Sequence, residues 1–272
     1  MKTEKWIRVN HKNKCPICDH DSWCGISEDG STAICMRVKS GQGTKNAGWL
    51  HVLKERSREF RRIVRSPLLP EKQDPKPDFN SMIAGWQIET EPEKFTEFAG
   101  SLSVSVTSLN ALGACYSRRF GAWAFPMKDG KNNIIGIRLR YPDGRKLAVR
   151  GSQAGLFYGY FDFADYILVC EGPTDTAAAI TAGFCAVGRP SCRGREEYVR
   201  ELLCSYPHAK AAIVADNDIP GIEGARKLAK ELKRPVRIII PPAKDIREWV
   251  KSGAGRCEII SACENAKILN LR

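Results

Sequence analysis

The feature that most constrains the fold is an alternation that begins near residue 161. The apolar runs "YILVC" (166–170), "FCAVG" (184–188), "AAIVAD" (211–216) and "VRIII" (236–240) are short. Each is followed by a stretch of helical character: "TDTAAAITAG", "GREEYVRELLCS", "GIEGARKLAKELK" and "KDIREWVKSG". Strand-length apolar runs separated by helices predict parallel βα units. The expected class is therefore α/β, with a Rossmann-like parallel sheet covered on both faces. Such sheets bind ligands outside the carboxyl ends of their strands.

Those carboxyl ends carry acids, although the chain has a formal net charge of +12. Glu171 and Asp175 stand in "EGPTD", Asp216 and Asp218 in "DNDIPG", and Asp245 in "PAKDIREW". Carboxylates brought to one sheet edge suit Mg²⁺, a hard ion that takes oxygen ligands. Metals there would also offset repulsion between the acids and a phosphate substrate. Local roles compete. Thr174 or Asp175 could cap the following helix, and Asp218 could open the turn before Gly221. The ordered pair, strand–E-G-x-x-D–helix then strand–D-x-D-x-x-G–helix, is more specific than either part.

The N-terminal segment, 1–53, has a different character. "CPICDHDSWCGISEDGSTAIC" (15–35) contains a C-x-x-C knuckle, Cys15 and Cys18, and a hairpin turn at "EDGS". One Zn²⁺ bound by Cys15, Cys18, Cys24 and Cys35 would be a closed structural site. His20 competes with Cys24 for the fourth position, and His11 and His51 are weaker candidates. A segment this small buries little core, so a metal would supply folding energy. The expectation is a zinc-ribbon-like β domain.

Residues 54–80 read as a basic, proline-rich linker, with Pro67, Pro70, Pro75 and Pro77. From 81 to 160 an α+β subdomain is expected. "EPEKFTEFAGSL" and "VTSLNALGA" read as helices, and "AWAFPM", "IIGIRLR" and "RKLAVR" as an antiparallel meander. The parallel-sheet region is assigned to 161–253 and a helical tail to 254–272. No apolar run has the length of a bilayer span, and "MKTEKWIRVN" has no secretory core. These features point to a cytoplasmic protein whose 11 cysteines are not disulfide-bonded.

Between 118 and 150, nine basic residues face only Asp129 and Asp143. Arg138, Arg140, Lys146 and Arg150 belong to this group, and Arg138 and Arg140 share a strand face. A basic groove beside a metal site suits a single-stranded nucleic acid, and a solvated sheet face is the alternative. Arg189, Arg193 and Arg195 follow a strand end, where they either reach a triphosphate or form a surface loop. The aromatics of "LFYGYFDF" either stack on bases or form core.

"CEGPTDTAAA" and "ADNDIPGIEGA" resemble the two acidic motifs of TOPRIM domains. With the zinc module, the linker and "FPMKDGKNNIIGIRLRYPDGRKLAVRGSQAGLFYG", the resemblance widens to bacterial-type (DnaG-like) DNA primases and covers nearly the whole chain. It implies that Glu171, Asp216 and Asp218 bind two catalytic Mg²⁺ or Mn²⁺. It implies that Asp175 supports them, that Asp245 is a secondary acid, and that Arg140 and Lys146 lie near the nucleotide and template path. The activity implied is synthesis of short RNA primers from NTPs on single-stranded DNA, in a plasmid, phage or mobile-element setting. The helicase partner would be a separate protein, because the sequence has no G-x-x-x-x-G-K-[ST], and no membrane partner is expected. Three positions depart from the pattern. A second C-x-x-C pair is missing, Arg247 stands where a second acid is usual, and no lysine matches before Phe157. A TOPRIM nuclease and a zinc-dependent nucleic-acid-binding protein with an inactive core are the competing readings.

Overall fold

A computed structural model of the chain describes residues 6–44, 48–53, 77–161, 164–191 and 194–269. The chain divides into two compact units, Met1–Lys72 and Gln73–Arg272. Among the described residues no helix is long and apolar enough to cross a membrane.

The first unit is an antiparallel sheet of four short strands in sequential order, β1 (Trp6–Arg8), β2 (Gly25–Ser27), β3 (Thr32–Cys35) and β4 (Trp49–Val52). The turn between β2 and β3 closes on Asp29, whose Oδ1 accepts from Ser27 Oγ and the Ser31 N–H, while Gly30 takes φ +67°. Its buried core is Val9 with Cys15, Cys24 and Cys35. Thiols thus replace the aliphatic side chains that would hold a larger domain together.

Residues 54–76 of the expected linker lie outside the described residues. Within its last part, α1 (Phe79–Glu89) begins, with Asp78 Oδ1 accepting the Ser81 N–H at 3.1 Å. Sequence reading placed no helix here. Gly85 interrupts the pattern, and only Phe79, Ile83 and Trp86 turn inward. Helices α2 (Pro92–Leu102) and α3 (Val106–Ala111) follow where expected. The antiparallel meander is β5 (Cys115–Ser117), β6 (Ala122–Lys128), β7 (Ile134–Arg140) and β8 (Lys146–Ala148), in that order. Period-2 alternation puts Ile137 and Leu139 inside and Arg138 and Arg140 on the other face.

The second sheet of this unit has the order β14-β13-β12-β10-β11-β9. Its four central strands are parallel: β10 (Tyr166–Glu171), β11 (Cys185–Arg189), β12 (Lys210–Val214) and β13 (Val236–Ile239). The helices between and after them are α4 (Gly172–Thr181), α5 (Glu196–Cys204), α6 (Ile219–Leu232), α7 (Ile246–Lys251) and α8 (Arg256–Asn265). Both edges are antiparallel. Strand β9 (Phe157–Tyr158) pairs with β11, and β14 (Ile268–Leu269) pairs with β13. Residues 157–158, assigned by sequence to the preceding subdomain, thus join this sheet. So does the expected tail, which supplies α8 and an edge strand.

One core joins the meander to the parallel sheet. Phe98 stacks on Trp123 at 4.0 Å and 5°, and this pair belongs to a cluster with Phe125, Phe157, Ala177 and Ala178. The aromatic run resolves in favour of core. Phe157, Tyr158 and Phe161 are buried, which leaves no face for a base, and Tyr160 is exposed, at 81%. Phe163 lies outside the described residues.

Candidate active site and metal centre

The acids come together because parallel strands of one sheet end on one side. Glu171 is the last residue of β10, Asp216 lies two residues beyond the end of β12, and Asp245 caps α7 beyond β13. Strands β13, β12 and β10 are adjacent in the sheet, so three segments far apart in sequence converge. Asp175 enters from the first turn of α4. Glycine makes two of these turns possible. Gly172 holds φ +83°, which reverses the chain directly after Glu171. A Cβ on Gly221 would stand 2.7 Å from the Asp216 carbonyl oxygen and 3.0 Å from Asp218 Oδ1.

Glu171, Asp175, Asp216 and Asp245 line a cleft of about 390 Å³, with Arg138, Arg140 and Lys146 across from them. Burial, then Asp245 and Asp216, push Asp175 up to about 8 against the pull of Arg247 and Lys146. Burial, then Glu171, Asp245 and Asp218, push Asp216 up to about 6. Burial and mutual repulsion of carboxylates are what a divalent cation would relieve. Oxygen donors of this kind are the ones that Mg²⁺ or Mn²⁺ takes.

Asp218 has a local role. It is the exposed N-cap of α6, and its Oδ1 accepts the Gly221 N–H at 2.7 Å. Asp245 also caps a helix, accepting the Glu248 N–H at 2.8 Å, yet is only 7% exposed and faces the cleft. Arg150 is exposed and does not line the cleft. Arg189 stands opposite Glu171 in register, 4% exposed, and its Nη2 contacts Glu196 Oε1 at 3.3 Å and the Gly194 carbonyl at 3.2 Å. Arg193 lies outside the described residues. Arg138 is half-buried in the cleft wall, and its Nε is buried with no hydrogen-bond partner among the described residues.

Sequence reading missed Lys244 and treated Arg247 only as a departure, yet both line the cleft. Their signal was position: they flank Asp245 at a strand end.

In the first unit the ligand atoms of Cys15, Cys18, Cys24 and Cys35 lie within 4.8 Å of one another. The Cys18–Cys24 and Cys24–Cys35 sulfurs are 3.7 and 4.0 Å apart. A tetrahedron with Zn–S bonds of about 2.3 Å has edges of roughly 3.8 Å, so the donor set fits zinc. The histidines point elsewhere. The His20 side chain is exposed, His11 pairs with Asp21 at 2.6 Å, and His51 Nε2 lies 3.1 Å from the Val38 carbonyl. Sequence reading also passed over Arg37. Its guanidinium donates to the Ser22 carbonyl at 2.9 Å and approaches Cys24 Sγ at 3.7 Å and Cys18 Sγ at 3.9 Å. Backbone N–H groups of Met36, Arg37 and Val38 point at the Cys24 and Cys35 sulfurs, within 3.3–3.4 Å. These donors suit thiolates bound to a metal.

No protein-family model matches the chain. The Gene 57 protein of Mycobacterium phage D29 is 33% identical over 125 residues, which span 44% of this chain and 81% of that protein. Among solved structures, a DnaG catalytic core matches with a TM-score of 0.57 at 15% identity, over 70% of this chain and 79% of that one. A DnaG primase catalytic domain bound to ssDNA matches at 0.56 and 14% identity, over 70% and 77%. The zinc-binding and RNA polymerase domains of the Aquifex aeolicus primase match at 0.56 and 15%, over 70% of this chain and 60% of that one. The chain thus belongs to one family with the Gene 57 protein of Mycobacterium phage D29, and it has the fold of a DnaG-like primase core.

Proposed function

We propose that the chain is a DNA primase that joins NTPs into short RNA primers on single-stranded DNA, in phage or other mobile-element replication. The observation that carries this reading is the cleft itself. Four carboxylates from three segments of the parallel-sheet layer line it together with Arg138, Arg140 and Lys146 of the meander. Acids without bases would suit a metal but repel a polyanion, and bases without acids would bind a polyanion without chemistry. Both across one cleft suit nucleotidyl transfer.

In that reaction the 3′-hydroxyl gives up its proton to solvent as its oxygen bonds to the α-phosphorus of an NTP, the bond from that phosphorus to the α,β-bridging oxygen breaks, and pyrophosphate leaves with that oxygen. Glu171, Asp216 and Asp218 would hold two Mg²⁺ or Mn²⁺, with Asp175 and Asp245 in support. Bound there, the ions supply charge neutralisation for phosphoryl transfer. Arg138, Arg140 and Lys146 would orient template and nucleotide phosphates. The four cysteines would hold one structural zinc, and the first unit would contact the template. A separate replicative helicase would supply the unwound strand.

The test is incubation of the full chain with a mixed-sequence single-stranded DNA, NTPs and Mg²⁺. Labelled oligoribonucleotides from the wild type, absent with Asp216→Ala and Asp218→Ala, support the proposal. Shortened template without new oligomers would assign a nuclease instead, and template binding with neither product would assign an inactive core.

A further inference from the structure

A second cleft of about 420 Å³ adjoins the first, between α2 and the turn joining β7 to β8. Arg140 and Arg247 line both clefts. Two arginines from unrelated elements, a meander strand and the first turn of α7, therefore line the junction of the two clefts.

Guanidiniums as a class keep their charge, so an anion is what relieves repulsion between two of them. Protein carboxylates relieve it incompletely. The nearest approaches of Arg247 are from Nη2, 3.9 Å to Asp245 Oδ2 and 3.6 Å to Glu248 Oε1. Both exceed hydrogen-bonding distance, and neither uses the planar fork of the guanidinium. Arg247 Nε is buried and has no hydrogen-bond partner among the described residues. Burial, with the facing Arg247 charge, lowers the affinity of Arg140 for its proton, which Asp175 only partly restores. A side chain three-quarters buried with its fork unmatched is arranged for a ligand rather than for stability.

We propose that Arg140 and Arg247 form a clamp for the terminal phosphate of a nucleoside triphosphate. The proposal rests on the nucleotidyl-transfer reading of the same cleft and adds Arg247 as a substrate-binding residue. A terminal phosphate presents three oxygens and more than one negative charge, enough for two forks at once. A phosphodiester of the template offers two free oxygens and one charge. The clamp also lies beside the carboxylates, where the α-phosphorus would have to react. The reacting end and the leaving end of one triphosphate could then span the cleft and its junction.

The test is calorimetric titration of the full chain with inorganic tripolyphosphate and, separately, with oligothymidylate, both in Mg²⁺ at fixed salt. It needs no primer synthesis, so it can succeed even if the primase reading fails. Arg247→Gln and Arg140→Gln should each weaken tripolyphosphate binding about tenfold, the loss of one good charged hydrogen-bond pair. The oligothymidylate affinity of Arg247→Gln should be unchanged, and Arg226→Gln, on the exposed side of α6, should behave as wild type. Arg247→Lys should fall between, because it keeps the charge and loses the fork, and it serves if the glutamine variant fails to fold by circular dichroism. Wild-type tripolyphosphate binding by folded Arg247 and Arg140 variants would overturn the clamp. An equal loss of oligothymidylate binding by Arg247→Gln would also overturn it, assigning the junction to the template backbone.

Discussion

Gly221 stands directly against Asp216: a Cβ at position 221 would lie 2.7 Å from the Asp216 carbonyl oxygen and 3.0 Å from the Asp216 Cβ. The loop that carries two candidate metal ligands is therefore closed by the bareness of a residue five positions on. Gly221→Ala should push the loop outward and loosen the Asp218 cap of α6. It should destabilise the second unit by about 1–3 kcal/mol, as overpacking does. It should also lower Mg²⁺ affinity more than its loss of stability explains. Unchanged Mg²⁺ affinity by isothermal titration would show that the loop does not position the ligands.

The raised carboxyls predict how stability depends on pH. Asp175 and Asp216 sit near 8 and 6 in the fold, and an ordinary Asp near 3.8, so the folded chain binds more protons between about pH 4 and 8. Without metal, their contribution to stability is most favourable below about pH 4 and is lost as the pH rises through the folded values. Asp175→Asn removes one such group. Relative to wild type it should stabilise the metal-free chain at pH 8.5 by on the order of a few kcal/mol and much less at pH 5. Mg²⁺ should raise the wild-type Tm at pH 8.5 and barely at pH 5. A variant difference that does not vary with pH sinks this prediction.

Zinc analysis separates the two candidate ligand sets. The wild type and His20→Ala should each carry about one zinc per chain, whereas Cys24→Ser and Cys35→Ser should lose it, and with it the near-ultraviolet signal of the first unit. Zinc lost from His20→Ala and kept by Cys24→Ser would reverse the assignment.

Arg138 presents in the cleft wall a buried Nε that has no hydrogen-bond partner among the described residues. Arg138→Gln should weaken binding of single-stranded DNA, and the slope of log affinity against log salt should fall by about 0.7, the loss of one phosphate contact. An unchanged slope in fluorescence anisotropy would remove Arg138 from the template path.

What the sequence determined by itself was local. Apolar runs of strand length followed by helical segments dictated β10 through α7, and the acids at the run ends were visible as acids at strand ends. C-x-x-C with two further cysteines around a hairpin turn already contained the sulfur cluster. Period-2 alternation placed Arg138 and Arg140 on one face. Each follows from the geometry of a few consecutive residues. Helix α1 was not legible, because burial against the meander offsets a weak helical pattern, and tertiary packing routinely overrides propensity.

Only the tertiary structure decided what met what. The order β13-β12-β10 brought Glu171, Asp216 and Asp245 to one cleft, and strand order is set by long crossovers rather than by neighbours in sequence. It made β9 and β14 the edges, buried Phe157, Tyr158 and Phe161, and drew Arg189 into contact with Glu196. It also set Arg247 against Arg140 across two elements more than 100 residues apart. A charge at residue 247 reads from sequence as a replaced acid. Its consequence depends on which charge lies opposite, and that is a property of the folded surface alone.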